Sequence, residues 1–218
     1  MRGRKSGKRT GKASVDHRSL GEGGQRCPAD PIVLFQRWFR DAERAGEPLA
    51  EAMAIATSTR HGRPSVRMVL HRGSPRTGFV FYTNYNSRKA ADLVENPHAA
   101  AVFHWPRLQR QVRIEGRVEK LSRAESERYF QTRPRESRIS AWASPQSARV
   151  SGRSFLIDEY EKVAARFGDK KIPCPPFWGG FRIVAECIEF WQGQPHRLHD
   201  RVLYFKKRSG WTFFRLGP

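Results

Sequence analysis

Residues 98–121 read HAAAVFHWPRLQRQVRIEGRVEKL, and this stretch decides the fold class. It holds two runs of β character, His98–Trp105 and Leu108–Leu121, and a turn at Pro106 separates them. The two strands are therefore predicted to follow each other directly, with no helix between them.

Outward from this pair, the chain continues as successive strands with helices inserted between them. Strands are predicted at Met53–Ser58, Ser65–Arg72, Gly78–Thr83, Phe181–Trp191, Arg201–Lys206 and Trp211–Leu216. Helices are predicted from Pro31 to a stop at Gly46, at Arg88–Glu95, from Ser122 to near Gln131, from Pro134 onward, and at Ser154–Phe167. Strand and helix do not alternate regularly, so the pattern favours a mainly β, antiparallel barrel with accessory helices (α+β) over a Rossmann sheet.

Local signals mark several of these boundaries. Asp30 is a cap for the first helix, with proline at the favoured first position. Ser122 and Glu125 have the spacing of a capping box. The interval Gly73–Thr77 contains Pro75 and is predicted to join its flanking strands as a hairpin-like loop.

Composition indicates one folded domain, residues 27–218, behind a disordered basic tail, residues 1–26. The tail carries eight Lys/Arg against two acidic residues within a formal charge of +20 for the chain. That charge attracts polyanions in general and does not choose among them. Three cysteines without metal-like spacing, no apolar leader and no long apolar run predict a soluble, cytoplasmic protein without a metal site or membrane span.

The strongest candidate site is the triplet Arg197, His199 and Arg201. On an extended backbone these alternate positions share one face. Two guanidinium groups flanking an imidazole would form a site for a planar anion. A solvated edge strand of mixed charge explains the triplet equally well.

A second candidate combines Tyr129, Arg133 and Ser137. Arg133 precedes a proline and so resists helical geometry, while Ser137 lies in the first turn of the next helix. Free N–H groups there favour a phosphate monoester. An ordinary helix junction with an exposed arginine is the simpler alternative.

Weaker signals come from basic and polar residues elsewhere. Arg67 and the Arg88-Lys89 pair at a predicted helix start suggest a bound anion, or merely a basic surface. Three polar side chains could bond the edge of a heterocycle, namely Gln111, Gln146 and Ser147. Four tryptophans are expected to be core or rim aromatics, namely Trp38, Trp105, Trp142 and Trp178.

Taken in chain order, many short motifs resemble those of the pyridoxine/pyridoxamine 5′-phosphate oxidase family. They are Arg67-Met68-Val69-Leu70, Phe81-Tyr82-Thr83-Asn84, Ser87-Arg88-Lys89, Arg110-Gln111-Val112, Arg133-Pro134-Arg135, Ala141-Trp142-Ala143-Ser144, Gln146-Ser147, Trp178-Gly179-Gly180-Phe181-Arg182, Glu189-Phe190-Trp191-Gln192-Gly193 and Arg197-Leu198-His199-Asp200-Arg201. The resemblance extends from about Pro28 to Pro218. Because of this resemblance, the weaker clusters are interpreted as binding sites and no longer as ordinary surface or helix-junction residues.

The resemblance implies an FMN-binding split β-barrel homodimer with the flavin in the cleft between subunits. The FMN contacts it implies are Arg67, Met68, Val69, Leu70, His71, Arg72, Tyr82, Thr83, Arg88, Lys89, Gln111, Gln146, Ser147, Trp191 and Arg201. The substrate contacts it implies are Arg72, Tyr129, Arg133, Ser137, Arg197, Leu198 and His199, with Arg197 and His199 as the catalytic pair facing the pyridine ring.

The activity implied is oxidation of pyridoxamine or pyridoxine 5′-phosphate to pyridoxal 5′-phosphate, with O2 as acceptor and H2O2 as product. Two rivals remain: a phenazine-type FMN oxidase on the same fold, and a basic nucleic-acid-binding module, which the motifs make the less favoured. Retained flavin would exclude the second.

The chain departs from the family pattern at several positions. Arg72 stands where lysine is usual, His71 where an apolar residue is usual, and Ser14 and His17 where an Arg-x-x-Tyr element often covers the substrate. Strict alternation would also put Arg67 and Arg72 on opposite faces, so a bulge or a strand end is predicted between them.

Overall fold

The computed structural model of this chain describes residues 20, 27–75 and 77–218. The predicted basic tail, with Ser14 and His17, therefore lies outside the described residues except at Leu20. Leu20 is 1% exposed and belongs to the main core. Its backbone N–H donates to Asp200 Oδ2 at 3.3 Å, and its carbonyl accepts from Arg215.

Five helices and eight strands make up the described part of the chain. The helices are α1 Pro31–Arg44, α2 Arg88–Glu95, α3 Arg123–Thr132, α4 Arg135–Ala143 and α5 Arg153–Phe167. The strands are β1 Ala52–Ser58, β2 Pro64–Leu70, β3 Phe79–Asn84, β4 His98–Trp105, β5 Arg110–Lys120, β6 Trp178–Gln192, β7 Asp200–Lys207 and β8 Gly210–Arg215. No helix among these is long and apolar enough to cross a membrane.

All strand pairs are antiparallel, which confirms the predicted fold class. The order is β2-β1-β4-β5-β6-β7-β8, and β3 pairs with β6. The fifteen-residue β6 makes this possible because β3 pairs with its first part, Trp178–Ile183, and β7 with its last part, Cys187–Gln192. The sheet therefore branches at β6, and β3 returns to the end of β2 through the bridge between His71 and Phe81, which closes the barrel.

A bulge between Glu115 and Gly116 bends β5 where it crosses β6. A Cβ at Gly116 would lie 2.1 Å from the Val184 carbonyl oxygen, so the two backbones approach too closely for any side chain. This close approach lets both strands follow the curvature of the barrel.

Two apolar clusters hold the layers together. The main core packs α1, through Phe35 and Trp38, against the inner faces of the strands. The second places α3 and α4 against the start of β6, through Phe130, Ile139 and Trp178. This second cluster positions the helices that border the candidate site.

Most predicted boundaries are confirmed to within a few residues. The side chain of Asp30 caps α1, and Ser122 with Glu125 forms the capping box of α3. The hairpin-like loop predicted across Gly73–Thr77 is confirmed by the residues that flank it, because the N–H of Arg72 donates to the Val80 carbonyl at 2.8 Å and the N–H of Val80 donates to the Gly73 carbonyl at 2.9 Å. The antiparallel bridge between His71 and Phe81 extends this contact, and along its other edge β3 pairs with β6.

Candidate active site

A cavity of about 390 Å³ opens between β2, β3 and the helices α3 and α4, and we call it the basic cavity. It is lined by Met68, Val69, Leu70, Arg72, Tyr82, Thr83, Asn84, Lys89, Tyr129, Arg133, Ser140, Ala141, Ser144, Gln146 and Trp178. Its volume falls within the range of small-molecule sites. Three cations and no carboxylate contribute to this lining.

Lys89 lies in the first turn of α2 and is 8% exposed. Its ammonium donates to the hydroxyls of Ser87 and Thr83 at 3.2 and 3.0 Å, and to Gln146 Oε1 at 2.9 Å. Burial, followed by repulsion from Arg67, lowers its pKa to about 8. Neutral oxygens alone thus hold this buried cation within the described structure, and an anionic ligand would stabilise it further.

Arg133 lies between α3 and α4, with the extended backbone (φ −74°, ψ 149°) that its following proline imposes. Its guanidinium lies 4.7 Å from the ring centre of Trp178 and 5.6 Å from that of Phe130. Nη1 is buried and has no hydrogen-bond partner among the described residues. Burial is the main cause of its lowered pKa. Arg133 is therefore held by aromatic faces, with donor capacity left for a ligand.

Stacked aromatic rings form one wall of the basic cavity. Tyr82 and Tyr129 stack at 3.9 Å between ring centres, and Tyr82 and Trp178 are nearly parallel at 5.4 Å. Trp178 is thus a core aromatic, as predicted, but it also lines the cavity. The wall supplies a flat apolar surface beside the cations, which suits a planar aromatic ligand with a phosphate.

Arg67 and Arg72 reach different neighbours because β2 ends at Leu70. Arg67 donates to Thr57 Oγ1 at 2.6 Å and lies 3.8 Å from Asp92, outside the lining of the basic cavity. Arg72 lines the cavity and lies 3.7 Å from Glu51. The predicted conflict between the two faces is resolved by the strand end.

The side chain of His71 points into the main core and not into the cavity. Four phenylalanine rings surround it at 5.5 to 5.9 Å between ring centres, namely Phe35, Phe39, Phe79 and Phe103. Its Nδ1 is buried without a hydrogen-bond partner in the described structure. Burial, followed by repulsion from Arg72, lowers its pKa to about 4, so the ring is neutral at pH 7.

A second group of candidate residues lies on β5, β6 and β7, away from the basic cavity. Trp191 pairs with Gln111 on one side and with Arg201 on the other. Its ring contacts His199 at 4.7 Å between centres. With His104 these rings border a separate cavity of about 350 Å³, which shares no lining residue with the first.

The prediction that Arg197, His199 and Arg201 share one face of an extended strand is wrong. Residues 195–197 form a tight 3-10 turn, and β7 begins only at Asp200. His196 and Arg197 have φ of 58° and 63°, a left-handed conformation that costs a non-glycine residue about 1 kcal/mol or more. Arg197 is exposed, whereas Arg201 is tied to Glu189 Oε1 at 2.8 Å.

Other predicted contacts lie near these groups without lining either cavity. Ser137 is half-buried in the first turn of α4, but Ser140, one turn later, lines the basic cavity. Arg88 and Leu198 are exposed, and Ser147 is exposed with φ of 71°.

Sequence reasoning missed several lining residues. They are Asn84, Ser140, Ala141 and Ser144 in the basic cavity, and His104, Gln109 and Gln194 in the second cavity. In the basic cavity, Asn84, Ala141 and Ser144 belong to family motifs and Ser140 adjoins one, so the motifs were a signal that could have found them. His104 carried no signal beyond its place in a strand.

Residues 39–167 match the sequence model of the family described as "Pyridoxamine 5'-phosphate oxidase". Residues 178–218 match the model described as "Pyridoxine 5'-phosphate oxidase C-terminal dimerisation region". The chain belongs to the pyridoxamine 5′-phosphate oxidase family. The dimerisation region includes Trp191, His199 and Arg201 of the group on β5, β6 and β7, but not Gln111 or His104.

Relatives within this oxidase family are similar over nearly the whole chain. Pyridoxine/pyridoxamine 5′-phosphate oxidases from Psychromonas ingrahamii and Burkholderia vietnamiensis are 53% and 52% identical to it. Each alignment covers 87% of this chain, and 87% and 89% of the respective relative.

Two solved structures share the fold. One is PhzG from Burkholderia lata 383 in complex with tetrahydrophenazine-1-carboxylic acid, with a TM-score of 0.84 and 29% identity over 88% of this chain and 94% of that one. The other is a pyridoxamine 5′-phosphate oxidase-related, FMN-binding protein from Nostoc punctiforme, with a TM-score of 0.69. At 18% identity over 88% and 98% of the two chains, it supports the oxidase-family fold alone.

Proposed function

We propose that this protein is a pyridoxine/pyridoxamine 5′-phosphate oxidase that uses FMN to form pyridoxal 5′-phosphate. The observation that carries the proposal is the basic cavity, where Lys89 and Arg133 lack acidic partners among the described residues and flank a flat aromatic wall. Phosphorylated planar ligands have the matching chemistry. The identity of more than 50% to named oxidases supports the same activity.

FMN fits the donor set of this chain. Lys89, beside Arg67 and the exposed Arg88, would bind its phosphate and ribityl region, because Lys89 is buried with no counter-ion in the part of the chain that the structure describes, which favours an anion. The backbone of residues 67–72, with Tyr82, Thr83 and Gln146, would line the flavin. Ser147, Gln111, Trp191 and Arg201 would complete the contacts. Two-electron oxidation at the 4′ carbon, with return of the electrons to O2 to give H2O2, is the chemistry FMN supplies when bound.

The substrate phosphate would bind at Arg133 and Tyr129, with Arg72 and Ser137 nearby. Arg133 offers a buried Nη1 that has no other described partner. Among the described residues Arg72 has one acidic neighbour, Glu51, at 3.7 Å, which leaves most of its donors available. These residues bind and orient the substrate, and the aromatic wall excludes water from its ring.

The complete site would require a homodimer. Within a single subunit, neither Arg197 nor His199 lines the basic cavity. Both residues lie in or just after the turn at residues 195–197, within the matched dimerisation region. Val66 and Met68 on the edge strand β2 are 69% and 63% exposed, an apolar surface that a second copy would cover. The exposed Leu198, beside the catalytic pair, would then contact substrate too. We place the enzyme in the cytoplasm, where its three free thiols would stay reduced.

Purification tests this proposal directly. We expect a yellow protein with about one FMN per chain that converts pyridoxamine 5′-phosphate to pyridoxal 5′-phosphate with equimolar H2O2. The Arg133→Met variant should retain FMN but lose most activity at low substrate concentration, because the change removes a cation that binds the substrate phosphate and none of those that bind FMN. A colourless protein retained on heparin would favour a nucleic-acid-binding module instead.

A phenazine-type FMN oxidase is the second candidate, favoured by the TM-score of 0.84 to PhzG. The cations of the basic cavity argue against it, since a substrate without phosphate would leave the buried Nη1 of Arg133 without a partner among the described residues. Comparing turnover of pyridoxine 5′-phosphate and dihydrophenazine carboxylates separates the two. Faster turnover of the phenazine precursor would overturn our assignment.

A further inference from the structure

The imidazole of His199 is held by the turn that precedes it. The backbone N–H of Gln194 donates to His199 Nδ1 at 3.2 Å, and the ring of Trp191 packs against the imidazole. In a neutral imidazole one nitrogen accepts and the other carries the proton. Because Nδ1 accepts from a main-chain donor, the ring proton of the neutral form lies on Nε2.

Gln194 is fixed in turn by Asp200. Its side-chain amide donates to Asp200 Oδ2 at 2.7 Å, and the carboxylate side chain is only 11% exposed. Asp200 also accepts from Arg215 at 3.1 Å and from the backbone of Leu20 at 3.3 Å. The carboxylate therefore ties the turn to β8 and to the core residue Leu20.

This fixation matters because the turn itself is strained. His196 and Arg197 both have left-handed backbone conformations, which relax unless their surroundings hold them. The Gln194–Asp200 contact closes the turn across its base. Gln194 lies five residues before His199, and Asp200 follows His199 directly. The same contact keeps the Gln194 N–H directed at the imidazole.

We propose that Gln194 and Asp200 are positioning residues that hold His199 as its Nε2–H tautomer. His199 then donates a hydrogen bond to an oxygen of the substrate ring and does not act as the proton acceptor. Nε2 already carries a proton, and the lone pair of Nδ1 is occupied by the Gln194 N–H. This role deepens the proposed oxidase function and rests on it. The tautomer of His199, in contrast, is independent of the function proposed for the protein.

The tautomer is measured in the resting, FMN-loaded full-length protein. Two-bond ¹H–¹⁵N correlation spectra of ¹⁵N-histidine-labelled protein at pH 7.5, assigned with His199→Gln, should show a protonated Nε2 and an unprotonated Nδ1. A proton on Nδ1 would overturn the proposal, whatever substrate the protein acts on.

A double-mutant cycle tests the relay through Gln194. Gln194→Met breaks the contact to Asp200 and should lower kcat/KM for pyridoxamine 5′-phosphate about tenfold, the loss expected for one hydrogen bond, with flavin content unchanged. In the His199→Gln background the same change should have less than a twofold effect, because the relay acts only through the imidazole. Equal losses in both backgrounds would refute the positioning role.

Arg215→Gln is the matched control, since it removes another contact of Asp200 and leaves the Gln194 amide in place. We expect kcat/KM within twofold of the parent protein. A tenfold loss in this variant would mean that general disorder around Asp200, and not the relay, accounts for the Gln194→Met result.

Discussion

Acid stability should depend on His71, the histidine enclosed by four phenylalanines. Its pKa is about 4 in the folded protein against 6.5 for an ordinary histidine. As pH falls below 6.5, the unfolded chain binds a proton that the folded protein does not, so protonation favours unfolding. The contribution of a neutral His71 is complete above pH 6.5 and is lost progressively toward pH 4.

The size of the loss follows from the two pKa values. One pKa unit corresponds to about 1.4 kcal/mol, so the folded state loses about 3 kcal/mol between pH 6.5 and 4. That is a large part of the stability of a typical domain. His71→Leu should abolish this component, and at pH 8 it should change the free energy of unfolding by about 1 kcal/mol at most. The variant also removes a buried nitrogen that has no partner in the described structure.

Urea unfolding with saturating FMN, at one protein concentration and at several pH values from 8 to 4.5, measures the effect. His61→Leu is the control, because His61 is exposed and should leave the pH dependence of the parent unchanged. Parallel stability curves for the parent and His71→Leu would refute the reasoning. The pH dependence would then have to come from other groups.

Three further outcomes test the site and the tail. Arg197→Ala should lower turnover about 100-fold with unchanged flavin content, and full activity on adding FMN would contradict that role. Arg133→Ala should raise KM for phosphorylated substrate about tenfold or more and spare the weak oxidation of unphosphorylated pyridoxine, whereas Arg128→Ala, at an exposed position of the preceding helix α3, should change neither. Deleting residues 1–26 should change kcat/KM less than about threefold and weaken retention on heparin, while loss of the Leu20 core contact should lower the free energy of unfolding by about 2 kcal/mol.

Local signals were sufficient for most of the secondary structure. These signals act within one helical turn, so the residues concerned are close together in the sequence. Examples are the capping box at Ser122 and Glu125 and the proline after Asp30. Strand positions followed from alternation over a few residues in the same way. The family motifs added the candidate residues, because their order along the chain is itself a sequence property.

Which of those residues meet was decided by tertiary structure. Lys89 and Gln146 are 57 residues apart and come into contact only because α2, β3 and the segment after α4 converge on one cavity. The hairpin-like contact across Gly73–Thr77 could be predicted from residues close in sequence, whereas the pairing of β3 with the distant strand β6 could not. Such pairings depend on burial and register across the whole sheet, which no local pattern encodes.

The turn before β7 shows the same division most clearly. The sequence by itself determined that Arg197, His199 and Arg201 are present at alternate positions, and it supplied the turn-forming Gly193 and Pro195. Only the folded protein decided that His196 and Arg197 take left-handed conformations, in a turn flanked by the Gln194–Asp200 hydrogen bond and the Trp191–His199 contact. Backbone strain of this kind persists because distant packing compensates for it, so the local sequence alone predicts the relaxed, extended conformation.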